Sequence, residues 1–444
     1  MHYSAARAMT VEAAVLWDVV EEHLDEATFL LQSWRTAVRS PRTSLTLLQK
    51  TVEPRLLAHL DGLAMGGPPV ADALLWPTLG KESEAKAPAV AAIGSALLLG
   101  GDAAERDRVV DALRTAELGT VRAGLIQAFE ISPRADVDEP LKMALYATDA
   151  PSTQAALLEV LAARRVDPGP ILTALLGRPD PDVARAALRA AAASPDRARH
   201  RNVVEALLSH TDPGVRGAAL RTGLIWNLNA AWQTCLRGAR AGQSEAMLYL
   251  AMLGDRRELP VLFDALRAPE QRMSALYALG FSGRVEAVDA CVPHLADGDP
   301  RVAKLAVEAI AAVTGLPLYD PPFVLPPSDD EDGDLPPLEE DLAIDLTPKP
   351  IDELPRPNAA AIGKWWSDRR PQLATGQRYV RGLLLAPASV EIAFSEGPLR
   401  RVGAIASEIA IRTGGRVQLP AVRLARAKPA LPADLVFQRD PGWV

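Results

Sequence analysis

The sequence has few of the residues on which most enzymes and membrane proteins depend. Its 444 residues include only two cysteines, Cys235 and Cys291, and six scattered histidines. Two cysteines are too few for a disulfide framework or a cysteine-rich zinc site. The longest uncharged apolar run, residues 87–101, has fifteen residues, whereas a membrane-spanning helix needs about 20. These shortages predict a cytoplasmic protein without membrane insertion.

Sequence motifs for catalysis are also missing. The chain has no G-x-x-x-x-G-K-[ST] phosphate loop, no H-E-x-x-H helix and no C-x-x-C pair. His23 and His59 fall in two predicted N-terminal helices, where packing explains them better than a metal site does. The sequence therefore predicts no catalytic residue, no metal ligand and no cofactor, so that the protein is not expected to be an enzyme.

Lysine is scarce, and negative charge is concentrated in one stretch. Only eight of the 48 basic residues are lysine. Residues 318–356 hold twelve acidic and two basic residues, so they carry −10, which leaves +2 on the rest of a chain with a net charge of −8. Eleven prolines between residues 317 and 357 oppose helix formation. This composition predicts a solvated acidic linker, or alternatively a docking tail for a basic partner.

The sequence does contain a repeat of about 31 residues. Three clear copies of D-P-x-V begin at Asp180, Asp212 and Asp299. Aspartate before proline predicts a helix start, because the carboxylate caps free N–H groups and proline loses no bond at the first helical position. A second apolar stretch with helical spacing follows about 20 residues later. Strands are not expected, so the predicted fold is an all-α α-solenoid of antiparallel helix pairs.

The repeat divides the chain into four predicted parts. Residues 1–86 form an N-terminal helical cap, and residues 87–316 form the repeat solenoid. Residues 317–357 form the acidic, proline-rich linker. Residues 358–444 form a C-terminal helical region, in which residues 396–414 parallel an earlier repeat. The linker is therefore expected to interrupt one solenoid rather than to join two unrelated domains.

The pattern D-P-x-V-R-x-A-A-L resembles HEAT repeats, of the short type also found in phycobilin-lyase-like proteins. The chain as a whole resembles an uncharacterised proteobacterial family of HEAT-repeat proteins that are often encoded near type VI secretion genes. The segments that carry this wider resemblance are residues 21–29, 53–62, 365–366, 376–379 and 396–401. The resemblance implies an accessory role in secretion and brings no active site with it.

One local group of residues is predicted to bind a partner. Neighbouring residues on a helix point about 100° apart, so Trp365 and Trp366 cannot both face one core. Interface hot spots favour tryptophan, tyrosine and arginine. The candidate partner-binding residues are Trp365, Trp366, Arg369, Arg370, Arg378, Tyr379 and Arg381. The alternative is an aromatic plug that pins this region to the repeats.

A second set of arginines recurs at related positions on successive repeats. It consists of Arg122, Arg185, Arg189, Arg216, Arg221 and Arg301. We expect this set to form salt bridges between repeats or to line a solvated face. A phosphate-binding face is less favoured, because acidic residues lie beside these arginines and the net charge of the repeats is close to zero.

The sequence thus predicts a non-enzymatic scaffold or adaptor that binds proteins, with type VI secretion components or effectors as partners. The alternative is a HEAT-type nucleic-acid-binding enzyme such as a DNA base glycosylase. A third possibility is a lyase or chaperone for a small chromophore.

Overall fold

The computed structural model describes residues 15–80, 84–326, 349–419 and 431–437. This described part is all-α except for one small hairpin and one isolated β-bridge. Within it, no helix is long and apolar enough to cross a membrane. The chain forms two compact units: unit 1 is Met1–Ser33 with Val52–Thr148, and unit 2 is Trp34–Thr51 with Asp149–Val444. The boundary at residue 148 falls inside the predicted repeat region rather than at residue 86.

The helices follow one another closely along the chain. Those of the first 148 residues are α1 (Trp17–Ala37), α2 (Leu45–Lys50), α3 (Val52–Met65), α4 (Gly67–Val70), α5 (Trp76–Thr78), α6 (Ala87–Gly100), α7 (Ala103–Thr115), α8 (Gly119–Ile131) and α9 (Asp138–Tyr146), with a π-helical turn at Ala71–Leu75 and a 3-10 turn at Ala135–Val137.

The helices from residue 149 onward are α10 (Pro151–Arg164), α11 (Leu172–Leu176), α12 (Pro181–Ala191), α13 (Arg197–Leu207), α14 (Pro213–Ile225), α15 (Asn229–Arg240), α16 (Ser244–Leu253), α17 (Leu259–Arg267), α18 (Pro269–Ser282), α19 (Val285–Cys291), α20 (Pro300–Thr314), α21 (Ala359–Arg369), α22 (Pro387–Glu396) and α23 (Leu399–Arg412). Short 3-10 turns at Val292–Ala296 and Arg370–Gln372 extend α19 and α21.

Unit 1 is held together by close packing of α6 against α3 and α8. Small residues permit the approach of α6 and α8. A Cβ atom on Gly94 would lie 2.9 Å from that of Ala128, and one on Gly124 would lie 2.5 Å from that of Val90. Both distances are below normal van der Waals contact, so these glycines set the separation of the two helices.

In unit 2, helices two places apart in the chain pack side by side in two layers, but the layers are interrupted between α14 and α16 and between α13 and α15, which do not pack closely. In the first layer, α12 packs on α10 and α14, and α18 packs on α16 and α20. In the second layer, α11 lies beside α13, and α15 lies beside α17. From α12 to α18, each first-layer helix also packs on a second-layer helix that neighbours it in the chain, as α18 does on α17.

The predicted helix starts are confirmed at all three D-P-x-V copies. Asp180, Asp212 and Asp299 are the N-cap residues of α12, α14 and α20, and each carboxylate accepts a hydrogen bond from a backbone N–H of the first turn. Proline occupies the first helical position in each case. The repeated aspartates therefore act on helix capping rather than on chemistry.

Strands were not expected from the sequence, and the hairpin corrects that expectation. Strand β1 (Tyr379–Val380) pairs antiparallel with β2 (Leu383–Leu384). The two turn residues, Arg381 and Gly382, have φ angles of 52° and 79°, as a two-residue turn of this hand requires. Strands of two residues are too short to produce a detectable alternation of apolar and polar residues.

The described ends of the predicted linker are packed rather than solvated. Leu318 and Leu354 are buried, and Val324 forms an isolated bridge with Pro357. The carboxylate of Glu353 accepts a hydrogen bond of 2.6 Å from Ser40. The prediction of a solvated linker is therefore wrong for these two ends, and residues 327–348, which hold most of the acidic side chains of the predicted linker, lie outside the described residues.

Candidate functional site

The tryptophan pair divides its side chains between the interior and the surface. Trp366 is buried, and its indole Nε1 donates a hydrogen bond of 2.9 Å to the carboxylate of Asp289 on α19. Trp365 is half-buried, with its ring edge-to-face against Phe323 at a centroid distance of 6.2 Å. Trp366 thus attaches α21 to α19. This is what the alternative interpretation, an aromatic plug that pins this region to the repeats, requires.

The two arginines at the end of α21 have different surroundings. Arg370 binds the same carboxylate, Asp289, through two nitrogen atoms at 2.8 and 3.0 Å. Arg369 donates to the side-chain amide oxygen of Gln372 and keeps part of its side chain exposed. Asp289 therefore accepts hydrogen bonds from both the indole of Trp366 and the guanidinium of Arg370. Arg370 thus also helps to attach α21 and the turn after it to α19.

Arg378 was predicted to belong to a partner-binding surface, and its position contradicts this. It is only 2% exposed. Its Nε and Nη2 atoms donate to the carbonyl oxygens of Ser282 and Phe281 at 2.9 and 3.1 Å. Its Nη1 donates to Glu408 at 2.8 Å and to the carbonyl of Phe437 at 3.0 Å. The guanidinium is thus a buried internal connector between α18 and α23.

Tyr379 and Arg381 bring the hairpin onto the ends of α18 and α20. The backbone N–H of Tyr379 donates to the carbonyl of Gly283 at 2.6 Å, and that of Arg381 donates to the carbonyl of Ala312 at 2.8 Å. The Tyr379 hydroxyl accepts a hydrogen bond from the backbone N–H of Ala374 at 2.8 Å. The Arg381 side chain remains exposed. Both residues therefore contribute mainly through their backbone.

Together these contacts define a C-terminal segment, residues 376–419, that lies along the C-terminal ends of first-layer helices. Besides the ends of α18 and α20, it reaches the carbonyl of Met252 in α16, which accepts a 2.8 Å bond from Arg412. Gln418 donates a 2.9 Å bond to the carbonyl of Ala192 at the end of α12. The last carbonyls of a helix have no partner within it, and cations favour that end. The segment therefore supplies partners to the ends of four helices.

Two buried charge clusters hold α23 in place. Glu408 lies between Arg378 and Arg412, with a nitrogen atom of each at 2.8 Å. Glu308 of α20 lies 3.3 Å from the Nε of Arg400 and 3.9 Å from the Nη1 of Arg401. The Arg401 guanidinium also stacks 3.7 Å from the ring centre of Phe281, and burial lowers its pKa. The motif at residues 396–401, which contributes to the family resemblance, is therefore structural here.

The recurrent arginines are also engaged within the fold. Arg122 and Arg216 occupy equivalent repeat positions, as does Arg272, and each donates to the backbone carbonyl six residues before it. Arg185 and Arg301 pair with acidic residues of their own helix start, Asp182 and Asp299.

Within this predicted set, Arg189 forms the salt bridge between repeats, at 3.5 Å from Glu159 of α10. Arg221 lies 3.5 Å from the hydroxyl of Ser407 on α23. Most of these side chains therefore bind their own helix or the loop before it.

The histidines and cysteines form no metal-binding group in the part of the chain that the structure describes. His23 and His59 approach with their Nδ1 atoms 3.0 Å apart, and no group of three metal-ligating side chains occurs among the described residues. Cys235 and Cys291 are both buried. Burial raises the pKa of both thiols, that of Cys291 to about 12. They pack as small apolar side chains.

No family model matches the chain, and no curated protein matches it. Among solved structures, the crystal structure of an engineered protein from the Northeast Structural Genomics Consortium is similar at 18% identity and a TM-score of 0.32. The match covers 66% of this chain and 88% of that chain. A TM-score of this size supports no inference about fold or function.

Proposed function

We propose that the protein is a non-enzymatic scaffold or adaptor that binds another protein, built as an α-solenoid of HEAT-like helix pairs. The observation that carries this proposal is the two-layer packing of unit 2, in which the three first-layer helices α12, α14 and α20 begin at copies of one sequence repeat. Stacked helix pairs present an extended surface, over which a large partner makes many contacts. The resemblance in sequence extends the proposal to an accessory role in type VI secretion.

The partner-binding surface in this proposal is the second layer of unit 2. The ends of the first-layer helices are occupied by the C-terminal segment. The second layer exposes Arg199 on α13 and Arg237 and Arg240 on α15. The 3-10 turn that follows α19 packs on α21, where Trp365 and Arg369 keep part of their side chains exposed. A surface with this composition favours an acidic protein partner.

Affinity purification from the native host, with the secretion genes expressed, tests this proposal. We expect the chain to recover a type VI secretion component or effector. The triple variant Arg199→Glu, Arg237→Glu, Arg240→Glu is expected to recover at least about tenfold less partner than the unaltered chain, because the introduced negative charges repel an acidic partner.

The matched control reverses three exposed basic residues elsewhere in unit 2: Arg35→Glu, Arg39→Glu and Lys50→Glu. It changes the net charge by the same amount and is expected to retain the partner. Recovery of no secretion component by the unaltered chain would contradict the secretion role. Equal loss in both triple variants would contradict the proposed surface.

A further inference from the structure

A cavity of about 310 Å³ lies between α18, α20 and the C-terminal segment. Its walls are mainly apolar and include Phe281, Leu316, Leu385, Val390 and Ile405. The volume is at the lower end of the range of small-molecule sites and about twice that of the ~150 Å³ engineered cavity that accepts benzene. The cavity therefore has room for a molecule of roughly two rings.

Two buried charged residues, Glu308 and Arg401, also line this cavity. Glu308 is 2% exposed and Arg401 is 5% exposed. Neither carboxylate oxygen of Glu308 accepts a hydrogen bond from another described residue, and the Nη1 of Arg401 donates none. The two side chains attract each other at 3.9 Å, but this separation leaves their hydrogen-bonding capacity unused.

Buried polar atoms are almost always hydrogen-bonded in native proteins, so unused donors and acceptors beside a cavity indicate a missing partner. Glu408, another buried carboxylate of the lining, differs because both Arg378 and Arg412 already donate to it. Beside the cavity, the unused capacity lies on Glu308 and Arg401, while the Nη1 of the neighbouring Arg400, which is outside the lining, also donates no hydrogen bond. It consists of acceptors and a donor side by side in a mainly apolar wall.

We propose that this cavity binds a small neutral amphiphilic molecule, with an apolar body of about two rings and one hydroxyl or carboxamide group. Such a group both donates and accepts, so it serves Glu308 and Arg401 together. A carboxylate ligand would pair with Arg401 but would leave the acceptors of Glu308 without a donor. A hydrocarbon would leave the hydrogen-bonding atoms of both side chains unused. The site lies apart from the second-layer surface, so it goes beyond the proposed scaffold function.

Titration of the purified full-length chain with three probes of one shape tests the chemistry of the site. The probes are 2-naphthol, naphthalene-2-carboxamide and 2-naphthoate, and binding is measured by isothermal calorimetry. We expect 2-naphthol and naphthalene-2-carboxamide to bind at least about tenfold more tightly than 2-naphthoate, because only they pair with both Glu308 and Arg401. Equal or tighter binding of 2-naphthoate would overturn the proposal.

The location is tested with Ala312→Leu, which adds volume inside the cavity from α20. The matched control is Ala163→Leu, on a half-buried alanine of α10 outside the lining. We expect Ala312→Leu to weaken binding of 2-naphthol at least about tenfold and Ala163→Leu to leave it unchanged. If Ala312→Leu does not fold, as judged by circular dichroism, Val390→Phe fills the same cavity from α22.

Two further results would overturn the proposal. One is that neither neutral probe binds the unaltered chain with a dissociation constant below about 1 mM, which would mean that only water occupies the cavity. The other is that the cavity-filling variants fold and still bind 2-naphthol as tightly as the unaltered chain does.

Discussion

Two glycines with left-handed backbone conformations determine how closely the hairpin approaches the first layer. Gly283 and Gly315 follow α18 and α20, with φ angles of 68° and 75°. A Cβ atom on Gly283 would lie 2.7 Å from the carbonyl oxygen of Tyr379. One on Gly315 would lie 2.5 Å from that of Arg381. Glycine is therefore required at both positions for two separate reasons, backbone conformation and space.

The first prediction concerns Gly315→Ala. We expect it to lower the free energy of unfolding by about 1–3 kcal/mol, because alanine is strained at positive φ and its methyl group displaces the hairpin. Urea unfolding followed by circular dichroism measures the loss. Gly298→Ala is the control, since its Cβ would meet nothing within 4 Å. Equal losses in the two variants would show that the hairpin contact has no special role.

The second prediction compares a buried ion pair with a surface one. Arg378→Met leaves Glu408 buried beside Arg412 alone, and breaking a buried pair typically costs about 3–5 kcal/mol. Arg370→Met breaks the half-exposed pair with Asp289, for which we expect a much smaller loss, because solvent-exposed ion pairs contribute little to stability. Chemical unfolding of both variants measures the difference. Similar losses would contradict the assignment of Arg378 as an internal connector.

The sequence-based prediction that Arg378 is exposed was wrong because its partners are distant in the sequence. Its interior position depends on acceptors at residues 281, 282, 408 and 437, which are far apart in the sequence. Arg378 is followed by a tyrosine and lies in a stretch with two tryptophans, and such a stretch is typical of an exposed interface. No residue close to Arg378 in the sequence indicates which residues are its partners. By contrast, the three D-P helix starts were predictable because the cap and its N–H donors lie within three residues of each other.

Individual helices were predicted well, whereas their packing was only partly predictable. The parallel between residues 396–414 and an earlier repeat predicted the helix α23. The sequence pattern of this helix does not determine where the helix packs. Its apolar face fits equally well at the end of a stack of repeats, so its position across the ends of earlier helices was not predictable. The small hairpin was missed for a different reason, since two-residue strands leave no pattern.

The third prediction concerns His200, which lies at the contact between α11 and α13, and the dependence of stability on pH. His200 of α13 is 3% exposed, and its Nδ1 lies 3.4 Å from the hydroxyl of Thr173 on α11. Burial lowers the pKa of His200, so the unfolded chain binds the proton more readily than the folded one. The stability that depends on this residue is therefore complete above the unfolded pKa of about 6.5 and falls as the pH drops below it.

We expect His200→Asn to reduce the dependence of the unfolding free energy on pH between about 6.5 and 5, whatever its effect on stability at pH 8. Urea unfolding at a series of pH values measures this slope. His210→Asn, on the loop after the same helix, is the control and keeps His200 in place. An unchanged slope in His200→Asn would contradict the assigned role.

At the scale of the whole molecule, the distribution of charge bears on the DNA-binding alternative. The chain outside residues 318–356 carries only +2. Most of the recurrent arginines bind carbonyls or carboxylates of their own repeats. The exposed arginines of the proposed surface, Arg199, Arg237 and Arg240, offer about three phosphate contacts. That number is small for a protein that binds DNA through its backbone.

The last prediction follows from that number. Each phosphate contact contributes about 0.9 to the slope of log affinity against log salt concentration, so three arginines predict a slope no steeper than about 3. Fluorescence anisotropy with a labelled DNA duplex, from about 50 to 200 mM salt, measures both affinity and slope. We expect a dissociation constant no tighter than about 10⁻⁴ M at 50 mM salt. The triple variant Arg199→Glu, Arg237→Glu, Arg240→Glu should abolish even that binding. Micromolar affinity with a steeper slope would require a basic surface beyond these three residues, and it would favour a nucleic-acid-binding enzyme over a protein scaffold.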